Sequence, residues 1–111
     1  MSKYSKFINQ IKTAFFDLNN CKNINISYMI DCNDIIFSEL LINKFFDDIK
    51  IILNEKVIIE KYDNFILLIH FNNNWFSMYY SENSYMYNYP HLWLCYHKNK
   101  KDAIHFICNL Y

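Results

Sequence analysis

Residues 57–81, VIIEKYDNFILLIHFNNNWFSMYYS, decide the fold. Runs of β-branched and aromatic residues, Val57 to Tyr62, Phe65 to Phe71 and Trp75 to Ser81, are separated by Asp63-Asn64 and by Asn72-Asn73-Asn74. Such side chains fit a pleated, half-buried surface, and short Asp/Asn breaks between them suit hairpins, so the stretch predicts an antiparallel meander. Phe65 to Ile69 is apolar at every position, which marks a strand covered on both faces. Val57 to Tyr62 carries Glu60 and Lys61 and belongs nearer an edge. A further run, Leu92 to His97, extends the meander.

Towards the N-terminus the period changes. From Tyr4, the apolar residues Phe7, Ile8, Ile11, Ala14, Phe15 and Leu18 recur at helical spacing, with Lys3, Lys6, Gln10 and Lys12 mainly on the other side. This helix should stop near Asn19-Asn20. Ile24, Ile26, Tyr28 and Ile30 then alternate with Asn25, Ser27 and Met29, predicting a half-buried strand that the acidic turn Asp31 to Asp34 closes. A second helix is predicted from an N-cap at Ser38, with Leu41, Ile42, Phe45, Ile49, Ile52 and Leu53 inward and Glu39, Asn43, Lys44, Asp47 and Lys50 towards water. Ile35-Ile36-Phe37 reads either as the start of that helix or as a short strand. At the other end Asn99, with Asp102 three residues on, predicts the cap of a last helix that buries Ala103, Ile104, Ile107, Cys108 and Tyr111. The expected order is helix, strand, helix, four strands, helix. Residues 1–111 thus read as a single α+β domain, an antiparallel sheet of four to five strands packed with three helices.

Composition narrows the chemistry. The 111 residues are 53% hydrophobic and 20% charged, enough for one core and far from a disordered chain. Glycine is absent, which excludes glycine-built phosphate loops and nucleophile elbows. Plentiful Asn, Ile, Lys, Tyr and Phe beside scarce Gly, Arg, Pro and Ala point to a low-GC gene. Asparagine tolerates left-handed backbone, so the asparagine pairs take over the turns. Eleven lysines balance eleven acids with no arginine, so a general affinity for nucleic acid is not expected. Cys21, Cys32, Cys95 and Cys108 show no C-x-x-C pair. With no secretory signal and no long apolar run, they predict reduced thiols in a cytoplasmic protein without a membrane partner.

Three catalytic or metal arrangements can be drawn from the side chains present. Cys95 and His97 share a strand face and Cys108 follows on a helix, with His91 or His105 as a possible fourth ligand. Structural zinc sites have short paired spacings that are missing here, so buried cysteines acting as small hydrophobes and surface histidines are the preferred reading, and no metal or cofactor is expected. A cysteine nucleophile meeting His70, His91, His97 or His105 lacks a context that lowers the thiol pKa. The acids Asp31, Asp34, Glu39, Asp47 and Asp48 lack a basic partner for a substrate phosphate, and solvated surface explains them better.

Two features stand above that background. Between Asp31 and Asp63 there are eight acids against four lysines, whereas the first 22 residues hold four lysines and one Asp. A local negative field can receive a basic partner, unless Lys44, Lys50, Lys56 and Lys61 pair with their acidic neighbours. The segment Trp75 to Tyr96 gathers nine aromatic residues in 22, more than a small domain readily buries. Tyrosine and tryptophan are enriched at interfaces, and Tyr85, Tyr87 and Tyr89 alternate as a strand edge or a ring-presenting loop would. Core packing with half-exposed tyrosines is the competing account. Single-stranded nucleic acid stacking needs a basic groove, for which only Lys98, Lys100 and Lys101 lie near.

In size, composition and layout the whole chain resembles the small immunity proteins encoded beside polymorphic or contact-dependent bacterial toxins. No family motif carries the likeness, so no residue role is transferred. The resemblance implies a non-catalytic domain, monomer or homodimer, that binds a cognate toxin and occludes its active site. On this reading Asp31, Asp34, Glu39, Asp47 and Asp48 complement a basic surface, and Tyr79, Tyr85, Tyr87, Tyr89 and Trp93 anchor it. A phage-encoded inhibitor of a host defence complex would look alike. A small enzyme would instead show titratable groups converging in a pocket near His70, His91 or Cys95, and a structural subunit a self-complementary sheet edge.

Overall fold

In the computed structural model, residues 3–32, 39–53, 57–63, 66–81 and 88–110 are described. Helix α1 (Lys3–Cys21) is followed by β1 (Ser27–Asp31), α2 (Glu39–Leu53), β2 (Ile58–Asp63), β3 (Ile66–Phe71), β4 (Asn74–Ser81), β5 (His91–His97) and α3 (Lys100–Cys108). The five strands form one antiparallel sheet in the order β1-β5-β4-β3-β2. The meander runs from β2 to β5, and β1 joins it beside the last strand, so β1 and β2 are the two edges.

Alternation along β3 shows why both faces are covered. Leu67, Ile69 and Phe71 enter the larger core with α1 and α2, while Ile66 and Leu68 pack with Ala103 and Ile107 of α3. On the α1 and α2 side, Phe15 and Phe76 are fully buried with their rings edge-on at 5.4 Å, and Phe7 stacks on Phe45 at 5.7 Å to join the two helices. Tyr4 Oη donates to Asp48 Oδ2 at 2.5 Å, a second tie between α1 and α2. The end of α1 is fastened to the β3–β4 hairpin by a buried bond of 2.6 Å from Asn74 Nδ2 to Asn19 Oδ1.

Turn chemistry follows the asparagines. Phe71 pairs with Asn74, leaving Asn72 and Asn73 as a two-residue loop with φ of 53° and 63°. Both central residues with positive φ define a type I′ turn, whose twist matches that of the strands. Asn99 caps α3 as predicted, its side chain accepting from the Asp102 amide at 2.8 Å.

Three expectations are corrected. The first strand starts at Ser27 instead of Ile24, because an asparagine turn occupies the preceding residues: Asn23 Oδ1 accepts from the Asn25 amide, and Ile26 N–H bonds back to the Asn23 carbonyl. Ile24 and Ile26 are accordingly 50% and 40% exposed. Cys108 is exposed where burial was expected, since α3 turns only Ala103 and Ile107 fully inward. His91 and His97, read as surface, are buried. Ser38, Ile35 to Phe37 and Tyr111 lie outside the described residues, as do the side chains of Leu41, Ile42 and Ile52.

Candidate functional site

On the sheet face that α3 covers, the fold brings Cys95 and His97 together with two serines. Ser27, Cys95 and Ser77 are cross-strand neighbours in one row, and His97 follows two residues along β5 on the same face. Ser77 Oγ is 2.8 Å from His97 Nε2, and Ser27 Oγ is 3.2 Å from Cys95 Sγ. Periodicity alone does not mark Ser77; its signal is register, because it sits opposite Cys95 on the face that also carries His97.

A serine hydroxyl bonded to an imidazole is the geometry of an activated nucleophile, but the surroundings work against reactivity. Ser77 is fully buried, His97 is 8% exposed, and the Phe106 ring lies 5.0 Å from the imidazole. Burial pulls His97 below its ordinary pKa, only partly offset by Asp102, and burial raises the Cys95 thiol against the lowering effect of Ser27 and Ser77. The imidazole is thus held neutral and the thiol protonated. These groups satisfy one another inside the fold, as buried polar groups must. Among the described residues no three His, Cys, Asp or Glu side chains come together as a metal site, and Cys108 is exposed where Cys95 and His97 are buried.

The described residues expected to contact a partner fall in three places. Asp31, exposed at the end of β1, lies opposite His91 on β5. The His91 imidazole donates from Nδ1 to the Tyr89 carbonyl at 2.7 Å, and its ring meets Trp93 edge-on at 5.5 Å and Tyr89 at 6.2 Å. Asp31, Tyr89 and Trp93 therefore gather round one buried histidine, with both aromatic side chains half-buried. Asp47 and Asp48 are on α2, with α1 on the opposite side of the sheet. Asp47 is exposed, whereas Asp48 is engaged by Tyr4 and by Lys44 at 2.7 Å. That ion pair bears out, for Lys44, the expectation of local charge pairing; Glu60 instead meets Lys100 at 3.7 Å.

Tyr79 packs beneath α3, its ring 5.9 Å from Phe106, and burial raises its phenol to about 12. Asp34, Tyr85 and Tyr87 lie outside the described residues, as does the side chain of Glu39 at the first position of α2.

Over the described residues, fold and site together define a mixed α+β domain with three helices on a five-stranded antiparallel sheet. Compared with family models, curated proteins and solved structures, the chain matches none. Among the described residues no helix is long and apolar enough to cross a membrane.

Proposed function

We propose that the chain is a non-catalytic inhibitor of the immunity-protein type, working in the cytoplasm by binding the basic surface of a cognate toxin and occluding its active site. One observation supports this above others: Asp31, Tyr89 and Trp93 collect at the His91 end of the sheet, an exposed acid beside two half-buried amphipathic rings. Tyrosine and tryptophan anchors are enriched at interface hot spots, and a charge at their rim supplies complementarity to an oppositely charged partner. The buried, mutually bonded Ser77, His97 and Cys95 belong to the interior on this account, so no turnover is required of them.

The test is co-expression with the product of a toxin gene adjacent to this one. The chain should restore growth, and Trp93→Ala or Asp31→Lys should abolish protection while circular dichroism stays unchanged; loss of the complex should amount to about 2 kcal/mol or more for a central anchor. Full protection by both variants would remove this surface. Multiple-turnover conversion of a substrate, lost on His97→Ala, would remove the non-catalytic reading itself.

A further inference from the structure

The two edges of the sheet differ in kind. β2 carries Glu60 and Lys61, and its pairing with β3 shifts between Lys61 and Asp63. A bulge and charges are the usual devices that stop an edge strand from recruiting another. β1, Ser27-Tyr28-Met29-Ile30-Asp31, pairs with β5 without a shift and has a charge only at its end. Among the described residues no strand lies along its other side.

Which groups face that side follows from one bond. The Cys32 amide donates to the Pro90 carbonyl at 2.9 Å, so Cys32 points its backbone towards β5. In an antiparallel pair the bonded positions alternate, so Ile30 and Tyr28 also point inward and Met29 and Ser27 direct N–H and C=O away from β5. An open groove of about 600 Å³ runs along this edge. Four consecutive residues, Tyr28 to Asp31, line it on one side. Residues that alternate between faces can line one groove together only along the hydrogen-bonding edge of their strand.

The groove's other wall is a stripe of α1: Lys6, Asn9, Gln10, Thr13, Ala14 and Asp17. Read in the opposite direction the stripe is complementary to itself. Set antiparallel against a copy, Lys6 faces Asp17, Asn9 faces Ala14 and Gln10 faces Thr13, which puts opposite charges at both ends. A two-fold axis joins one patch to its own copy, so this self-complementarity is what an isologous interface requires.

We propose that the β1 edge and the α1 stripe form the interface with a second copy of this chain, β1 pairing antiparallel with β1 about Met29. Spacing agrees with charge. α1 packs on both β1 and β5, so its axis lies near the gap between them. Joining two β1 edges at one interstrand distance then sets the two α1 helices roughly 10 Å apart, the separation of packed helices. Each groove is filled by the other copy's helix stripe and strand edge, giving a continuous ten-stranded sheet. This edge shares Asp31 with the surface proposed for the toxin, and Met29 is the cross-strand neighbour of Trp93. Lys6 and Asp17 lie outside that surface, so their charge reversals test the dimer whether or not the inhibitor reading holds.

Analytical ultracentrifugation of the whole chain tests it. At low salt and rising concentration, a species of twice the 13.7 kDa chain mass should appear. Lys6→Asp or Asp17→Lys alone sets like charges against each other at both ends and should weaken dimerisation about tenfold; the double exchange Lys6→Asp/Asp17→Lys restores it to within about twofold. Both residues are exposed, so the folded spectrum should not change. A chain that stays monomeric up to about 1 mM overturns the proposal. So does a dimer that the single reversals leave intact, or one that the double exchange fails to restore.

Discussion

Ser77 Oγ and His97 Nε2 lie 2.8 Å apart on neighbouring strands beneath Phe106, a hydroxyl and an imidazole that share a hydrogen bond in the buried layer under α3. Burial rather than a charge sets the state of that imidazole. The pair therefore ties the stability of the domain to pH.

His97 has a folded pKa below its ordinary value of 6.5. Above that value the ring is neutral in folded and unfolded chains alike. As pH falls through it the unfolded chain takes up the proton first, so stability declines, levelling off once the folded pKa has been passed. Denaturant midpoints between about pH 8 and about pH 5 should fall on the acid side, and His97→Asn should flatten that part of the profile. An unchanged slope in the variant would assign the acid sensitivity to another group.

The four thiols should react in two classes. Cys21 and Cys108 are exposed, whereas Cys32 and Cys95 are buried. Burial, with Asp31 adding to it, pushes Cys32 up to about 12, and burial raises Cys95 as well. Since the thiolate is the reactive form, a thiol reagent near neutral pH should modify two residues in the native protein and four after denaturation, with peptide mapping assigning the fast pair to Cys21 and Cys108. Rapid labelling of Cys95 would mean that α3 lifts from the sheet.

The bond from Tyr4 to Asp48 joins helices far apart in sequence. Asp48 is held below the usual carboxylate value of 3.8 by Lys44 and then by Tyr4. Its contribution is thus present above that value and is lost as pH falls through the depressed folded pKa. Tyr4→Phe and Asp48→Asn should each cost about 0.5–1.5 kcal/mol. The double variant should cost less than their sum, because either single change already breaks the bond. Strict additivity would show that the two side chains act independently.

What the sequence made legible follows its periodicities. Leu67, Ile69 and Phe71 against Ile66 and Leu68 announce a strand covered twice, and the helical spacing of Phe7, Ile11, Phe15 and Leu18 announces a helix; all are buried as read. Period is blind to pairing between distant segments. That β1 lies beside β5, with Ser27 opposite Cys95, is settled by the three-dimensional packing of residues 68 positions apart. The polar row through Ser77 and the β1 edge both depend on that pairing, so neither was visible. The failed start of β1 has a local cause: Ile24 and Ile26 keep the strand's alternation, while the side chain of Asn23 diverts the backbone into a turn. Among the acids, sequence placed Asp31 and Asp48 in one field, but the fold puts them on the sheet end and on α2, and Tyr4 and Lys44 already engage one of them.

The β3–β4 loop tests whether asparagine truly replaces glycine in this glycine-free chain. Asn72 and Asn73 sit at φ of 53° and 63°, where a Cβ crowds the following carbonyl. Asparagine bears that crowding better than other residues with a side chain, but not without cost. Asn73→Gly removes the Cβ and should raise stability by about 0.5 kcal/mol, while Asn73→Ala keeps the Cβ without the amide and should lower it by about 1 kcal/mol. Thermal denaturation of the two variants measures the difference. If glycine instead destabilises the hairpin as much as alanine does, the amide group is holding the turn, and the chain's asparagines carry contacts that glycine could never supply.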